Sequence, residues 1–309
     1  MKSKHLISLK DLEREDLEGL FQLAAAVKAN PGGCATALQG RSLAMIFQKP
    51  STRTRVSFEV GMLQLGGHAL HLSAADIQLH RGESIADTAR VLSRYVDAIM
   101  ARVFSHQDIL DLARHGSVPV INGLSDLLHP CQALADYFTL WERRGGSLQG
   151  LKVAYVGDGN NVCHALMFGA VRLGLSFAVA APTGYEPNPL IVKSATRDAQ
   201  RTGTPTPVVT TDPNAAVSGA DVVYTDVWAS MGQEQEAQAR QQAFQGYQVT
   251  PQMMAMAHTD AVFMHCLPAH RGEEVAADVI DGPQSVVFDE AENRLHAQKA
   301  LLLRLLGVA

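Results

Sequence analysis

The chain has 309 residues, of which 47% are hydrophobic and 18% are charged, and its formal net charge is -5. At roughly 150 residues per domain, this length predicts two domains, each large enough to bury its own core. The composition excludes wholesale disorder and a coiled coil. No apolar run approaches the roughly 20 residues of a membrane-spanning helix, and the negative balance disfavours nucleic acid. We therefore expect neither a membrane nor a nucleic acid as partner.

The cysteines are scattered along the chain, at Cys34, Cys131, Cys163 and Cys266, without a C-x-x-C pair. This spacing suits neither a disulfide framework nor a structural zinc site, and it is typical of a reducing compartment. The first eleven residues contain no apolar segment of the kind that signal peptides need, and acidic residues follow from Asp11 onward. These features predict a cytoplasmic location.

Short apolar runs alternate with amphipathic segments of helix length. This alternation predicts an α/β protein with two doubly wound parallel-sheet domains, each sheet having helices on both faces. The predicted strands are, in chain order, Ser42–Phe47, Ala69–Leu72, Ala98–Arg102, Val118–Ile121, Lys152–Val156, Phe177–Ala180, Asp221–Tyr224, Ala261–Met264 and Ser285–Phe288.

A polar, glycine-rich break at residues 143–147 separates a predicted helix from the strand that follows it. It predicts one domain over residues 1–143 and a second over residues 144–288. Residues 289–309 complete the chain, and a predicted helix from Glu292 to Leu306 is expected to pack back on the first domain.

The first chemical motif follows the strand that ends at Phe47, and it comprises Ser51, Thr52, Arg53, Thr54 and Arg55. Ser51 or Thr52 is expected to cap a helix. The free N–H groups of a helix start, beside hydroxyls and two guanidinium groups, suit a phosphate dianion. The alternative is an ordinary capped helix with solvated arginines, but the concentration of these groups favours anion binding.

The second motif places His129 before Pro130, a residue that suits the first turn of a helix. A neutral imidazole, or the amide of Gln132, can donate there to a carbonyl oxygen that gains charge. By itself the motif is weak, because a histidine that precedes a proline at a helix start is common.

The third motif, residues 153–162, is a strand followed by a glycine turn and a helix start. This order requires that a dinucleotide site be considered. Val162 occupies the third glycine position, and no acidic residue follows at the expected distance, so the fingerprint fails. Asn160 and Asn161 suit a polar, zwitterionic ligand instead.

The fourth motif is a loop after the strand at residues 221–224, and it carries Asp226, Ser230 and Gly232. A carboxylate and a hydroxyl four residues apart suit a cationic amine. The alternative is a solvated surface loop, and without further context neither interpretation is favoured.

The fifth motif contains His265, Cys266, Leu267 and His270 at the end of another strand. The spacing does not match a usual zinc site, so we predict no metal. Cys266 is either a nucleophile or part of a polar wall that faces a substrate amine. Because all five motifs follow strands, and ligands of open α/β sheets bind beyond the carboxyl ends of strands, they predict an interdomain active-site cleft.

Together these motifs resemble the aspartate/ornithine transcarbamoylase family, and within it the ornithine carbamoyltransferases. The run at residues 51–55 is similar to the family's carbamoyl phosphate motif, and residues 129–132 resemble its second motif. Residues 226–232 resemble the ornithine-specific loop, and residues 265–268 resemble the catalytic segment. The similarity extends from about residue 42 to Arg294.

The resemblance implies particular roles for residues of this chain. The implied catalytic groups are Arg102, His129, Asp226 and Cys266. The implied ornithine ligands are Asn161, Asp226, Ser230 and Met231. The implied carbamoyl phosphate ligands are Ser51, Thr52, Arg53, Thr54, Gln78, Arg102, His129, Gln132, Cys266, Leu267 and Arg294.

The resemblance also implies a homotrimer in which Gln78 reaches the site of a neighbouring subunit, with no cofactor and no metal. His80 stands where the family pattern has glycine, which affects the expected geometry of the Gln78 loop. The implied reaction moves the carbamoyl group from carbamoyl phosphate to the δ-amine of L-ornithine, giving L-citrulline and phosphate, as in arginine biosynthesis.

Three other functions remain as alternatives at this point. A related carbamoyltransferase would act on putrescine or N-acetylornithine instead of ornithine. A nucleotide-dependent oxidoreductase is favoured only by the glycine turn at residues 157–159. A non-catalytic amino-acid-binding module is the third alternative, and the paired anion and amine sites argue against it.

Overall fold

The computed structural model describes residues 3–75, 77, 82–229 and 236–309. The chain divides into two compact units, which we call the first unit (Met1–Arg143 and Glu292–Ala309) and the second unit (Arg144–Ala291). The sequence-based prediction put the second boundary at residues 288 and 289. Among the described residues, no helix has the length and apolar character that crossing a bilayer requires.

The first unit contains a four-stranded parallel sheet in the order β2-β1-β3-β4. The central residues of strands β1 and β3 are apolar and buried. This is expected for strands of a parallel sheet that has helices on both faces. The strands are β1 (Ser42–Phe47), β2 (His68–Ser73), β3 (Ala98–Arg102) and β4 (Val120–Leu124). The helices are α1 (Arg14–Ala29), α2 (Thr52–Gln64), α3 (Ile85–Leu92), α4 (His106–His115) and α5 (Pro130–Arg143), with short 3₁₀ helices at Leu9–Asp11 and Pro31–Cys34.

The second unit contains a five-stranded parallel sheet in the order β7-β6-β5-β8-β9. The strands are β5 (Lys152–Val156), β6 (Ser176–Ala180), β7 (Val208–Thr210), β8 (Val222–Thr225) and β9 (Val262–His265). The helices are α6 (Asn161–Leu173), α7 (Pro189–Thr202), α8 (Pro213–Val217), α9 (Ala237–Ala243), α10 (Pro251–Met254) and α11 (Ala277–Ile280). The last helix of the chain, α12, spans Val287–Leu305.

The two parallel α/β sheets that the sequence predicts are therefore confirmed. The predicted strand at Ser285–Phe288 is wrong, because Ser285 makes only an isolated bridge to Phe263 and a helix begins at Val287. The sequence analysis also missed β7, a short edge strand whose valines are exposed.

In both units, strands of the sheet end at the motifs that carry chemistry. In the first unit, β1 leads to the turn before α2, and β3 ends at Arg102. In the second unit, β8 and β9 lead directly to Asp226 and Cys266. The buried strands thus fix the backbone positions from which the functional side chains extend.

Candidate active site

The start of α2 is built to attract an anion. Ser51 is the N-cap, and its Oγ accepts a hydrogen bond from the Thr54 N–H at 3.3 Å. Thr52 and Arg53 complete the first turn, so the predicted helix start is confirmed. The first N–H groups of a helix lack partners within the helix and carry the positive end of its dipole, which favours an anion at this point.

Arg294 of α12 connects this helix start with α5 inside the first unit. Its Nη1 donates to Gln132 Oε1 at 2.7 Å, and its Nη2 donates to Thr54 Oγ1 at 3.3 Å. Gln132 in turn donates to Asp136 Oδ1 at 2.8 Å, and all four side chains are buried. The position and the plane of the Arg294 guanidinium are therefore fixed by side chains of two other helices.

His129 immediately precedes α5 and is buried. Burial lowers the pKa of His129 well below its usual value, and the nearby cations Arg294, Arg102 and Arg53 lower the pKa further. Its Nδ1 has no hydrogen-bond partner among the residues that the structure describes. A neutral imidazole close to three guanidinium groups can donate a hydrogen bond to an oxygen on which negative charge develops.

Gln48 holds the ends of β1 and β3 together. Its N–H donates to the Arg102 carbonyl at 2.8 Å, and its Oε1 accepts from the Phe104 N–H at 2.8 Å. Its Nε2 donates to Asp108 Oδ2 at 2.9 Å. Sequence analysis missed Gln48, although a buried-strand end followed by an amide was a signal that could have indicated it.

Ser125 organises the loop that leads to His129. Its Oγ accepts from the Leu128 N–H at 3.2 Å and lies 2.8 Å from His106 Nδ1. Its N–H donates to the Leu128 carbonyl at 2.9 Å, which closes the loop. These contacts fix the backbone of the loop, and with it the position from which the His129 side chain extends.

Three residues of the first unit that the sequence analysis singled out do not join this group in the described structure. Arg55, which the sequence analysis grouped with the phosphate ligands, instead pairs with Glu59 at 3.0 Å on the outer face of α2, where its side chain is 49% exposed. Gln78 and His80 lie outside the described residues.

In the second unit, the turn between β5 and α6 is held by Asn160. Its Oδ1 accepts from the N–H groups of Val162 at 2.9 Å and Cys163 at 3.2 Å, so Asn160 caps α6. Its Nδ2 donates to Asp226 Oδ2 at 2.7 Å. The sequence motif offered both Asn160 and Asn161 to a ligand, and the resemblance implied Asn161 alone. Asn161 is the half-buried first residue of α6.

The glycine turn that raised the dinucleotide alternative has a packing explanation. A Cβ on Gly159 would collide with the backbone of Glu186 and Pro187. The Gly159 N–H also donates to the Tyr185 carbonyl at 2.8 Å. Glycine is required at this position because the backbone of a neighbouring segment lies so close to it. A bound phosphate is not needed to explain this glycine.

Asp226 and Cys266 form the polar centre of the second unit. The Cys266 thiol donates to Asp226 Oδ1 at 3.0 Å, and the Val227 N–H donates to the same oxygen at 2.8 Å. Asp226 is only 5% exposed, and the Asn160 amide reaches its other oxygen. Thr225 Oγ1 donates to the Val156 carbonyl at 2.6 Å and holds the strand end that precedes Asp226.

His265 holds the backbone next to Cys266 through hydrogen bonds, and we do not assign it as a substrate or metal ligand. Its Nδ1 accepts from the Leu267 N–H at 2.9 Å, and its Nε2 lies 3.1 Å from Glu274 Oε1. Leu267 has φ 57°, and the bond from Leu267 to Pro268 is cis. Candidate ligand atoms of Asp226, His265 and Cys266 lie within 4.8 Å of one another, but both ring nitrogens of His265 already have partners.

Arg240 is a further residue that sequence analysis missed. Its Nη1 donates to the Trp228 carbonyl at 2.8 Å and lies 3.2 Å from Asp158 Oδ2, and its Nε donates to Glu236 at 3.0 Å. The guanidinium carbon lies 4.9 Å from the centre of the Tyr185 ring. Burial raises the pKa of Asp158 to about 6, although Arg240 acts in the opposite direction. Ser230 and Met231 lie outside the described residues.

Two family models match successive parts of the chain. The carbamoyl phosphate-binding domain of aspartate/ornithine carbamoyltransferase matches residues 4–142, and the aspartate/ornithine-binding domain matches residues 149–305. The chain belongs to the aspartate/ornithine carbamoyltransferase family. The family resemblance that the sequence motifs indicated is thus confirmed.

Individual members of the aspartate/ornithine carbamoyltransferase family are similar over nearly the whole length. The ornithine carbamoyltransferase of Pyrococcus horikoshii is 59% identical over 309 residues, which is 99% of this chain and 97% of the relative. The solved ornithine carbamoyltransferase of Pyrococcus furiosus has a TM-score of 0.93 and 57% identity, covering 98% of this chain and 97% of that one. A solved acetylornithine transcarbamylase, in complex with acetylcitrulline, has a TM-score of 0.86 and 34% identity. The match covers 97% of this chain and 98% of that one.

Proposed function

We propose that this chain transfers the carbamoyl group of carbamoyl phosphate to the δ-amine of L-ornithine, giving L-citrulline and phosphate. The observation that carries the proposal is the group of three arginines, Arg53 at the start of α2 together with Arg102 and Arg294, near a neutral, buried His129 that precedes α5. Such a group suits a ligand that is both a phosphate and a carbonyl compound. The similarity to an ornithine carbamoyltransferase at 59% identity over 99% of the chain supports the choice of the acceptor.

In the proposed carbamoyl phosphate site, Ser51, Thr52, Arg53 and Thr54 bind the phosphate group. Arg294 and Gln132 are fixed by their mutual hydrogen bond at 2.7 Å and complete this anion site. Gln78 is proposed to reach it from a neighbouring subunit. Preorganised charges are effective here because they need no reorganisation when the ligand arrives.

The proposed reaction is attack of the neutral δ-amine on the carbamoyl carbon, followed by loss of phosphate. Arg102, His129 and Thr54 stabilise the negative charge on the carbonyl oxygen of the tetrahedral intermediate. The low pKa of His129 keeps its imidazole neutral, so one ring N–H can donate while the arginines supply the charge. The proton lost from the amine is accepted in the end by the departing phosphate.

In the proposed ornithine site, Asn161, Asp226, Ser230 and Met231 bind the amino acid. Asp226 is suited to an ammonium group because its carboxylate is buried and held by the Asn160 amide and the Val227 N–H. Cys266 and Leu267 act at the reacting amine. An amine with a pKa near 10 in water must lose a proton before it attacks. We propose that the Cys266–Asp226 pair accepts this proton, which leaves the amine neutral, and that the proton passes in the end to the departing phosphate.

The test is an assay of product formation from carbamoyl phosphate with ornithine, putrescine, N-acetylornithine and aspartate in parallel. We expect citrulline from ornithine at a rate at least about a hundredfold above that with the other acceptors, because sites built around substrate polar groups discriminate strongly. Equal or faster carbamoylation of putrescine or N-acetylornithine would instead establish the alternative acceptor. No product from any acceptor would refute the proposal.

We further propose that the chain forms a homotrimer in which each carbamoyl phosphate site takes Gln78 from a neighbour. The outer face of α2 and the edge strand β2 expose apolar side chains at Val56 (48%), Leu63 (73%) and Leu70 (41%), which supports an interface there. Sedimentation analysis is expected to give three times the chain mass of 33.2 kDa, and Leu63→Glu is expected to lower it.

The shared site makes a separate prediction about mixed subunits. Arg53→Ala and Gln78→Ala variants are expected to be nearly inactive alone and to regain activity when refolded together. Mixed trimers contain some sites in which both residues are intact. No recovery after confirmed subunit mixing would assign Gln78 to its own subunit's site.

We also propose a cytoplasmic location and a role in arginine biosynthesis. The scattered cysteines fit a reducing compartment, and none of the four forms a disulfide bond among the described residues. Growth of an arginine-requiring strain that lacks its own carbamoyltransferase is the test for the biosynthetic role, with Arg53→Ala as the inactive control. Cell fractionation tests the location.

A further inference from the structure

A turn after β9 brings together three side chains outside the proposed substrate sites. His270 Nδ1 lies 3.8 Å from Glu273 Oε2 and 3.7 Å from Glu274 Oε2. The candidate ligand atoms of all three residues lie within 4.8 Å of one another. The His270 and Glu273 side chains are about half exposed, at 52% and 47%, whereas Glu274 is completely buried.

The turn is held in place by its backbone. The Glu273 N–H donates to the His270 carbonyl at 3.0 Å, and the Gly272 N–H donates to the Val275 carbonyl at 2.9 Å. Gly272 has φ +91°, a conformation that glycine adopts without strain. The Val249 N–H donates to the Glu274 carbonyl at 2.9 Å, which anchors the base of the turn. The three side chains therefore start from fixed positions.

The buried carboxylate of Glu274 is only half satisfied. Its Oε1 accepts from the His270 N–H at 2.6 Å and faces His265 Nε2 at 3.1 Å. Its Oε2 has no hydrogen-bond partner among the described residues, and it faces His270. Buried carboxylates are normally paired with a positive charge or bound to a metal.

His265 does not supply that positive charge. Its Nδ1 accepts a hydrogen bond from the Leu267 N–H at 2.9 Å, so Nδ1 carries no proton and the single ring proton is on Nε2. The imidazole is therefore neutral and donates to Glu274 as a dipole. The negative charge of Glu274 is left facing His270 and Glu273.

We propose that His270 Nδ1, Glu273 Oε2 and Glu274 Oε2 bind a divalent transition-metal cation of the zinc class. One imidazole nitrogen and two carboxylate oxygens suit Zn²⁺, Co²⁺ or Ni²⁺, whereas Mg²⁺ and Ca²⁺ prefer oxygen ligands alone. Tetrahedral ligation at about 2.0 to 2.2 Å places ligand atoms about 3.3 to 3.6 Å apart. Small rotations of the two half-exposed side chains bring the observed separations into that range.

The site differs from the Asp226–His265–Cys266 group in its ligands. It contains no thiol, and it lies on the other side of His265, whose ring separates Glu274 from Leu267. The inference does not depend on the proposed enzymatic function, because metal binding is measured without substrates.

The test is a titration of the full-length, metal-stripped protein with Zn²⁺ by calorimetry and with Co²⁺ by visible absorption. We expect one equivalent to bind, with affinity lowered about tenfold or more in His270→Gln and in Glu273→Gln. His258→Gln is the matched control, because it removes an exposed histidine of the same unit that lies two residues from Asp260. We expect this variant to bind the metal with unchanged affinity. Mg²⁺ is expected not to compete at equal concentration. Circular dichroism checks that each variant is folded.

The Co²⁺ spectrum distinguishes the two groups of ligands. The proposed site gives d–d bands without a thiolate charge-transfer band, and Cys266→Ser leaves the affinity unchanged. A thiolate band, or loss of binding in Cys266→Ser, would assign the metal to the Asp226–His265–Cys266 group and overturn the proposal. Equal affinity in the wild type and His270→Gln, or no binding by the wild type, would also overturn it.

Discussion

The two polar centres of this molecule are built in opposite ways. In the first unit, arginines surround a neutral imidazole, and the partners of Arg294 come from helices far apart in sequence. In the second unit, a buried carboxylate, Asp226, is surrounded by uncharged donors from Asn160, Val227 and Cys266. The first centre therefore suits an anion and the second suits an amine, although the whole chain carries a net charge of -5.

This contrast shows why net charge is a poor guide to small ligands. A net charge of -5 disfavours a polyanion, because many phosphates must be neutralised together. A single phosphate needs only a few cations in a fixed arrangement, and burial increases the effect of each one. Variants that alter one centre should accordingly affect one substrate and leave the other unchanged.

The largest expected effect is at the cationic centre. Arg53→Ala should lower kcat/KM for carbamoyl phosphate about 10² to 10³-fold, because it removes one charge from a preorganised anion site. The KM for ornithine and the thermal unfolding midpoint should change little. Steady-state kinetics with each substrate varied in turn provide the measurement.

Arg55→Ala is the matched control for this prediction. Arg55 lies two residues further along the same helix, but it pairs with Glu59 at the surface. Exposed pairs contribute only about 0 to 1 kcal/mol, so the kinetics should stay within about twofold of the wild type. Equal effects of the two substitutions would show that general helix-start charge, not a specific clamp, accounts for phosphate binding.

The next largest effect concerns stability and pH in the second unit. The pKa of Asp158 is raised from 3.8 to about 6 in the folded protein, chiefly by burial. Between about pH 4 and pH 6 the folded state keeps a proton that the unfolded state has lost, so stability falls as the pH rises through this range. The difference between the pKa values corresponds to about 2 to 3 kcal/mol.

Asp158→Asn should remove this contribution. Chemical unfolding of the wild type and the variant at several pH values should give a stability difference that changes from pH 4 to pH 6 and is constant above. Parallel stability curves for the two proteins would show that the folded Asp158 titrates normally. An NMR titration of the carboxyl carbon gives the pKa directly.

The pattern of apolar runs predicted β1, β3 and β5 with their observed bounds, because each is a buried strand between polar turns. β7 was not predictable in this way, since it has three residues and its valines are exposed. Val286 and Val287 look like part of a strand, but they are buried at the start of α12 instead. Short apolar runs do not distinguish a buried helix turn from a strand.

The site shows the same limit. Residues adjacent in the chain, such as Ser51 to Thr54 or His265 to Leu267, form motifs and are visible in the sequence. The partners that hold them are distant: Asn160 reaches Asp226, and Arg240 reaches the Trp228 carbonyl. These partnerships are set by tertiary packing, so only the structure identifies them.

A smaller effect is expected at the thiol of the acidic centre. Cys266→Ser should lower kcat about tenfold to a hundredfold and change its pH dependence, because the hydroxyl is shorter and less acidic than the thiol that contacts Asp226 at 3.0 Å. The KM for carbamoyl phosphate should be nearly unchanged. Cys34→Ser, at the other partly exposed cysteine, is the control and should leave the profile as it is. Unchanged kinetics of Cys266→Ser across the pH range would remove the thiol from the proposed mechanism.

The smallest expected effect tests whether the cationic centre depends on the residue that holds its strand ends. Gln48→Met keeps the length of the side chain but removes its hydrogen bonds to Phe104 and Asp108, which are worth about 1 kcal/mol each. The loss should lower kcat/KM for carbamoyl phosphate about threefold to tenfold, because Arg102 is less well positioned. Gln107→Met is the control, since Gln107 also donates to an aspartate, Asp111, at 2.9 Å, but on the exposed face of α4. If both variants lose stability equally and neither changes the kinetics, Gln48 serves only the fold and does not position the anion centre.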